Sequence, residues 1–228
     1  MKILSIDTAS SICGVCILDD TTILKQIDLS TEKSHSQNLM PIIENIFNDC
    51  NLTLSNIDLI VCDIGPGSFT GIRIGVSTAK AFCDSLDIKN IGVSSLETLA
   101  YNIRKEGYIC SLIDCKNSNC YYALYELKNN SYINIEEPKA DNINNILSSL
   151  FKYNNITFVG NGAINYHDII KNTLQNCSFA DDKENSLNSY SLGLAGRNKY
   201  LNNEFKEILP MYLRKPQAEL QLEQKDNS

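Results

Sequence analysis

The feature that most constrains this chain is an order of secondary-structure elements that occurs twice. Residues 2–7 (KILSID) read as a buried strand, and 12–18 and 22–29 as two more, with Asp19-Asp20-Thr21 as the turn between them. Ser34-His35-Ser36-Gln37 fits a capping box and opens a helix. Its apolar positions Leu39, Ile42, Ile43, Ile46, Phe47 and Cys50 recur at helical spacing. A strand at 57–62, a loop at 63–70, a helix from about 71 to 86, a strand at 91–93 and a helix at 95–104 complete the first half. The second half predicts strands at 108–114, 119–127 and 131–135, a helix at about 141–152 and a strand at 156–159. A helix from about 163 to 173, a strand near 177–179 and a helix at about 188–202 follow. The pattern is β-β-β-α-β-α-β-α in each half. Asp7 ends the first strand of one half and Asp114 that of the other, and a Gly-x-Gly turn follows the fourth strand in both. Three antiparallel strands followed by parallel crossovers make a mixed five-stranded sheet with helices on its faces. We therefore expect an α/β protein of two lobes: 1–104, and 105–228 with the final helix and tail.

Chain-level properties exclude several classes of function. The net charge is −7, with a pI near 4.9, which argues against a chain that grips nucleic acid unaided. Hydrophobic residues make up 43%, so the chain has the material for a core. A carboxylate interrupts the opening apolar run at Asp7, so no signal peptide is expected. No apolar stretch approaches the ~20 residues of a membrane span. Nine scattered cysteines read as free thiols in a reducing cytoplasm. Cys13 and Cys16 form a C-x-x-C, but residues three apart in a strand face opposite sides, so packing is the expected role.

Between a strand and a helix lies Asp63-Ile-Gly-Pro-Gly-Ser-Phe-Thr-Gly-Ile-Arg-Ile-Gly75. Gly65 and Gly67 permit a tight turn, Ser68 and Thr70 are candidate N-caps, and Gly71 allows close approach to the first helical turn. Arg73 lies where the helix dipole disfavours a cation, which points to a nearby carboxylate (Asp7 or Asp63) or a phosphate. With Asp7 and Thr8, these residues form a candidate anion or nucleotide site. The plainer reading is a strand-to-helix turn that only packs. No G-x-x-x-x-G-K-[ST] occurs, and three opening strands are wrong for a Rossmann unit.

The run Gly65–Gly75 with Ala79-Lys80 resembles the signature of the TsaB (YeaZ) family. So do Ile6-Asp7-Thr8-Ala9, His35-Ser36 with Leu39 and Pro41, Val93-Ser94-Ser95-Leu96-Glu97, Ile113-Asp114-Cys115-Lys116, and the tail Pro210-Met211-Tyr212-Leu213-Arg214. The duplicated order is likewise similar to the actin, Hsp70 and sugar-kinase superfold (ASKHA). The resemblance implies a non-catalytic scaffold subunit. Its paralogue TsaD transfers threonylcarbamoyl to the tRNA adenosine next to the anticodon, and the ATPase TsaE joins the complex. tRNA would then be held mainly by the partner, and homodimers form when the partner is missing.

The residues fit that expectation. His35 and His167 are the only histidines, so neither H-x-x-x-H nor H-E-x-x-H is available for a metal, and an old glycoprotease label for the family finds no support. The second phosphate loop, Asp114-Cys115-Lys116-Asn117, lacks a glycine, so tight ATP binding by the isolated chain is not expected. The resemblance leaves room for ATP or ADP at the subunit contact. It also implies that two helices pair with those of TsaD, through Leu39, Ile42, Ile43, Ile46 and Phe47 on one and Ile72, Val76, Ala79 and Phe82 on the other. Against that stands the ordinary fate of an apolar helix stripe, which is to pack on its own sheet. The competing function is an autonomous nucleotide-dependent enzyme of the same superfold, a kinase or acyltransferase, with Asp63 as its best-placed acid.

Overall fold

The computed structural model describes residues 1–30 and 35–214. The first sheet is built from β1 (Lys2–Asp7), β2 (Ile12–Asp19), β3 (Thr22–Ser30), β4 (Leu59–Asp63) and β5 (Lys89–Val93), with helices α1 (His35–Cys50), α2 (Phe69–Leu86) and α3 (Ser95–Ala100) in chain order among and after them. The second takes β6 (Gly107–Asp114), β7 (Asn119–Lys128), β8 (Ser131–Asn142), β9 (Ile156–Val159) and β10 (Cys177–Phe179). Helices α4 (Ile143–Leu150), α5 (Asn161–Asn165) and α6 (His167–Thr173) interleave, and α7 (Ser189–Leu201) follows. The strand orders β3-β2-β1-β4-β5 and β8-β7-β6-β9-β10 are the same topology twice. In each, the first strand is antiparallel to the second and parallel to the fourth.

Strand alternation divides the first sheet into two apolar faces. Leu4, Ile6, Val15, Ile17, Ile60 and Cys62 meet α1 and α2, whereas Ile3, Cys16, Leu18, Leu59, Val61, Ile91 and Val93 meet α7. Cys13 and Cys16 accordingly sit in different clusters, and all nine cysteines are free. The position of α7 differs from the expectation from chain order. It leaves the second half and covers the first sheet, because Gly193 and Gly196 let it lie against Leu18, Ser5 and Val61. The Ser5 hydroxyl donates to the Ser189 carbonyl at 2.6 Å to hold it there. The lobes share one core at their base, where Leu96, Leu99, Ala100 and Ile103 pack with Ile109, Tyr125, Leu127 and Val159.

Element boundaries moved where local chemistry outweighed periodicity. The helix expected at 71 begins at Phe69, because the Ser68 hydroxyl accepts the Gly71 N–H and caps it; Thr70 is inside the helix. The helix expected over 95–104 stops at Ala100. The one expected over 163–173 divides at Tyr166, and β8 runs on to Asn142 through register shifts. The capping-box residue Ser34 and the tail beyond Arg214 lie outside the described residues. Among the described residues, no helix is long and apolar enough to cross a membrane.

A Cβ at position 196 would collide with Val61. Gly196→Ala is therefore expected to lower stability by about 1–3 kcal/mol, read by chemical unfolding. Exposed Ser148→Ala on α4 serves as the control.

Candidate functional site

The hairpin after β1 and the first turn of α2 are pressed together backbone to backbone. The Ser68 N–H donates to the Ala9 carbonyl at 2.7 Å, and the Thr8 hydroxyl donates to the Gly71 carbonyl at 2.7 Å. A Cβ on Gly67 would strike the Ala9 carbonyl oxygen, and one on Gly71 the Thr8 carbonyl oxygen. These glycines therefore serve close packing within the lobe. His35 secures the same hairpin through Nε2, 2.8 Å from the Ser10 carbonyl oxygen.

Behind this contact sit two carboxylates on adjacent parallel strands. Ile6 pairs with Cys62, which places Asp7 beside Asp63 at the strand ends. They are 0% and 1% exposed. One Asp7 oxygen accepts the Ala9 N–H at 2.9 Å. One Asp63 oxygen accepts the Gly65 N–H and the Ser95 hydroxyl, each at 2.7 Å. The other oxygen of each is buried without a protein partner. Burial pushes Asp63 up to about 7, and burial together with the Asp63 charge pushes Asp7 well above the usual carboxylate range.

A cleft of about 690 Å³ separates the lobes. Ala9–Ile12 and Pro66–Phe69 form one wall, and Ile113–Asn117 with Tyr121 and Asn161 the other. On the second wall Lys116, Asn117 and Ser118 all adopt positive φ, so the chain turns there without a glycine. Burial would raise the Asp114 pKa, but hydrogen bonds from the Lys116 N–H, Asn165 and Tyr166 carry it below its ordinary value. Of the candidate anion-site residues, Gly67 and Ser68 line the cleft. Asp7, Thr8, Gly65 and Gly71 are buried, and Arg73 faces elsewhere. The expected Arg73 carboxylate partner is replaced by the tail: Arg73 Nε donates to the Tyr212 hydroxyl at 2.8 Å, and Tyr212 stacks on Phe69 with ring centroids 4.7 Å apart. Chain order gave no signal of this contact, because 139 residues separate the pair.

The candidate partner residues are also largely internal. Leu39, Ile42, Ile43, Ile46, Ile72, Val76 and Ala79 are buried on their own sheet, at 6% exposure or less. Phe47 and Phe82 are half-buried, and Met40 is 50% exposed. The stripe that faces the sheet is the stripe that periodicity finds; Phe47 and Phe82 pack against its margin, and Met40 is exposed. Among the described residues, no group of three or more His, Cys, Asp or Glu could hold a metal.

Comparison with known proteins bears on this arrangement. The family model described as TsaD, tRNA N6-adenosine threonylcarbamoyltransferase, matches residues 22–222. The chain is 41% identical over 130 residues to the tRNA threonylcarbamoyladenosine biosynthesis protein TsaB of Bacillus subtilis, a match covering 57% of each chain. It is 34% identical over 143 residues to TsaB of Escherichia coli, covering 61% of this chain and 62% of that protein. The chain belongs to the TsaD family, in its TsaB (YeaZ) branch. The matches span somewhat more than half the length of those curated relatives. In structure, YeaZ from Pseudomonas aeruginosa superposes with a TM-score of 0.77 at 21% identity, covering 93% of this chain and 99% of that one. The ROK hexokinase of Thermus thermophilus reaches 0.53 at 9% identity, covering 90% and 99%. The fold is therefore the two-lobed one of YeaZ and the sugar kinases.

A carboxyl that keeps its proton in the folded chain and loses it in the unfolded one stabilises the fold at low pH. That contribution disappears as pH rises from the ordinary value of 3.8 to about 7. Asp63→Asn retains the acceptor for Gly65 and Ser95 and removes the titration. The fall in unfolding free energy over that window is expected to flatten in the variant; an unchanged slope would contradict a protonated Asp63.

Proposed function

We propose that this chain is a non-catalytic subunit supporting TsaD in transferring threonylcarbamoyl to tRNA adenosine. The observation that carries the reading is the 41% identity to a protein named for that biosynthesis, together with the TsaD family match across most of the chain. Its site chemistry supports the non-catalytic role. Asp63, the acid best placed in sequence, is sealed behind the Thr8–Gly71 contact and engaged with Gly65 and Ser95. A general base must reach the proton it abstracts, and this one has no path to the cleft. With a net charge of −7, the chain leaves most of the tRNA contact to its partner, and TsaE joins through the same complex.

The partner contact is assigned to the exposed side of α1 and α2, through Met40 and the accessible edges of the half-buried Phe47 and Phe82, rather than to the buried stripe. The same face would pair two copies of the chain in the absence of TsaD. Co-purification with TsaD from the same cell tests this. Met40→Asp is expected to weaken the complex at least tenfold while the chain stays folded by circular dichroism. Ile43→Asp, 3% exposed, is expected to unfold the chain instead. No complex with the wild-type chain would return the autonomous-enzyme reading.

Nucleotide is assigned no resident place in the isolated chain. The second wall of the cleft turns on Lys116-Asn117-Ser118 at positive φ, with no glycine there to bring bare backbone up to a phosphate. Calorimetry with ATP is expected to show no binding in the low-micromolar range; such binding would overturn the assignment.

A further inference from the structure

After α7 the described residues run as a strap along one lobe and reach the other at Arg214. It is first tied to the edge of the first sheet, where the Gly92 N–H donates to the Lys206 carbonyl at 2.8 Å. Ile208 is fully buried in the common core. The Met211 N–H then donates to the Ile64 carbonyl at 2.7 Å, just beyond the end of β4. Tyr212 lies flat on Phe69 at the start of α2, its hydroxyl fixed by Arg73. Two residues later the Arg214 guanidinium reaches the second lobe: one nitrogen lies 3.3 Å from the Cys115 carbonyl oxygen and 3.2 Å from its Sγ. Arg214 thus lines the same cleft as Ala9–Ile12 and Pro66–Phe69 opposite.

The geometry points to an interlobe latch: Arg214, carried on a strap anchored to the first lobe by Met211 and Tyr212, fastens the β6–β7 turn and holds the mouth of the cleft closed. The lobes are also joined by the shared core around α3, against which Ile113 and Tyr121 of the second wall pack; the Arg214 contact is the link that the strap adds between the walls. The bonds at the mouth are few and made to a neutral carbonyl and a thiol, so they are readily exchanged for a charged acceptor. Anything that takes up Arg214, or lifts Tyr212 from Phe69, frees the second wall of the cleft from the first. The strap up to Arg214 therefore sets how far the cleft opens.

Amide hydrogen exchange on the full chain tests the latch with Arg214→Gln and Tyr212→Ala, using Arg197→Gln on α7 as the control. Both test variants are expected to speed exchange roughly threefold or more at Cys115–Asn119 and also at Ser10–Ile12 and Gly67–Ser68 across the cleft. Amides of β1 and β6 should keep their protection, which checks that each variant remains folded. Faster exchange confined to Cys115–Asn119 in Arg214→Gln would make the contact merely local and overturn the latch. A second-lobe wall unchanged in Tyr212→Ala would show that the strap does not carry Arg214, and would overturn it equally.

Discussion

Everything near the candidate site depends on two stretches of backbone lying closer than side chains would permit. Thr8 and Ala9 touch the first turn of α2 through the faces of Gly67 and Gly71, with hydrogen bonds in both directions across the contact. Because the approach is backbone to backbone, the helix start cannot shift without breaking the hairpin, and the reverse holds as well. The contact fixes where β1 and β4 end relative to one another, and so sets Asp7 beside Asp63. It also fills the space at the helix N-terminus that an anion would need, apart from the rim left by Gly67 and Ser68.

That single constraint changes what the carboxylates can do. An acid at the end of a central strand is well placed for chemistry in a two-lobed α/β protein. Here the pair is enclosed, and desolvation favours the protonated form. The pair thereby belongs to the fold rather than to the cleft. The cleft is instead walled by loops, with a strap of chain crossing its mouth.

Some of this was legible in the residues. The alternation of apolar side chains, the helical spacing in α1 and the repeated position of Asp7 and Asp114 gave the elements, their order and the duplication. Local signals act over a few residues, so Ser68 could be read as a cap from its neighbours alone. The glycine run marked a close approach, but the spacing could not say whether a phosphate or the chain's own backbone approaches. Periodicity likewise found the buried stripe of α1 and α2, since it detects the side facing the sheet and is silent about the outward side.

What the sequence determined by itself was therefore the two mixed sheets, the helices between them and the family-like motif, because these follow from periods of two and 3.6 residues and from local turn chemistry. Only the tertiary structure decided that α7 crosses back to the first sheet, that Arg73 meets Tyr212 rather than Asp7 or Asp63, and that Arg214 spans the cleft. Each of those joins residues far apart in the chain. Their pairing depends on packing volume and on which polar groups remain unpaired after collapse, and neither leaves a periodic trace in the sequence.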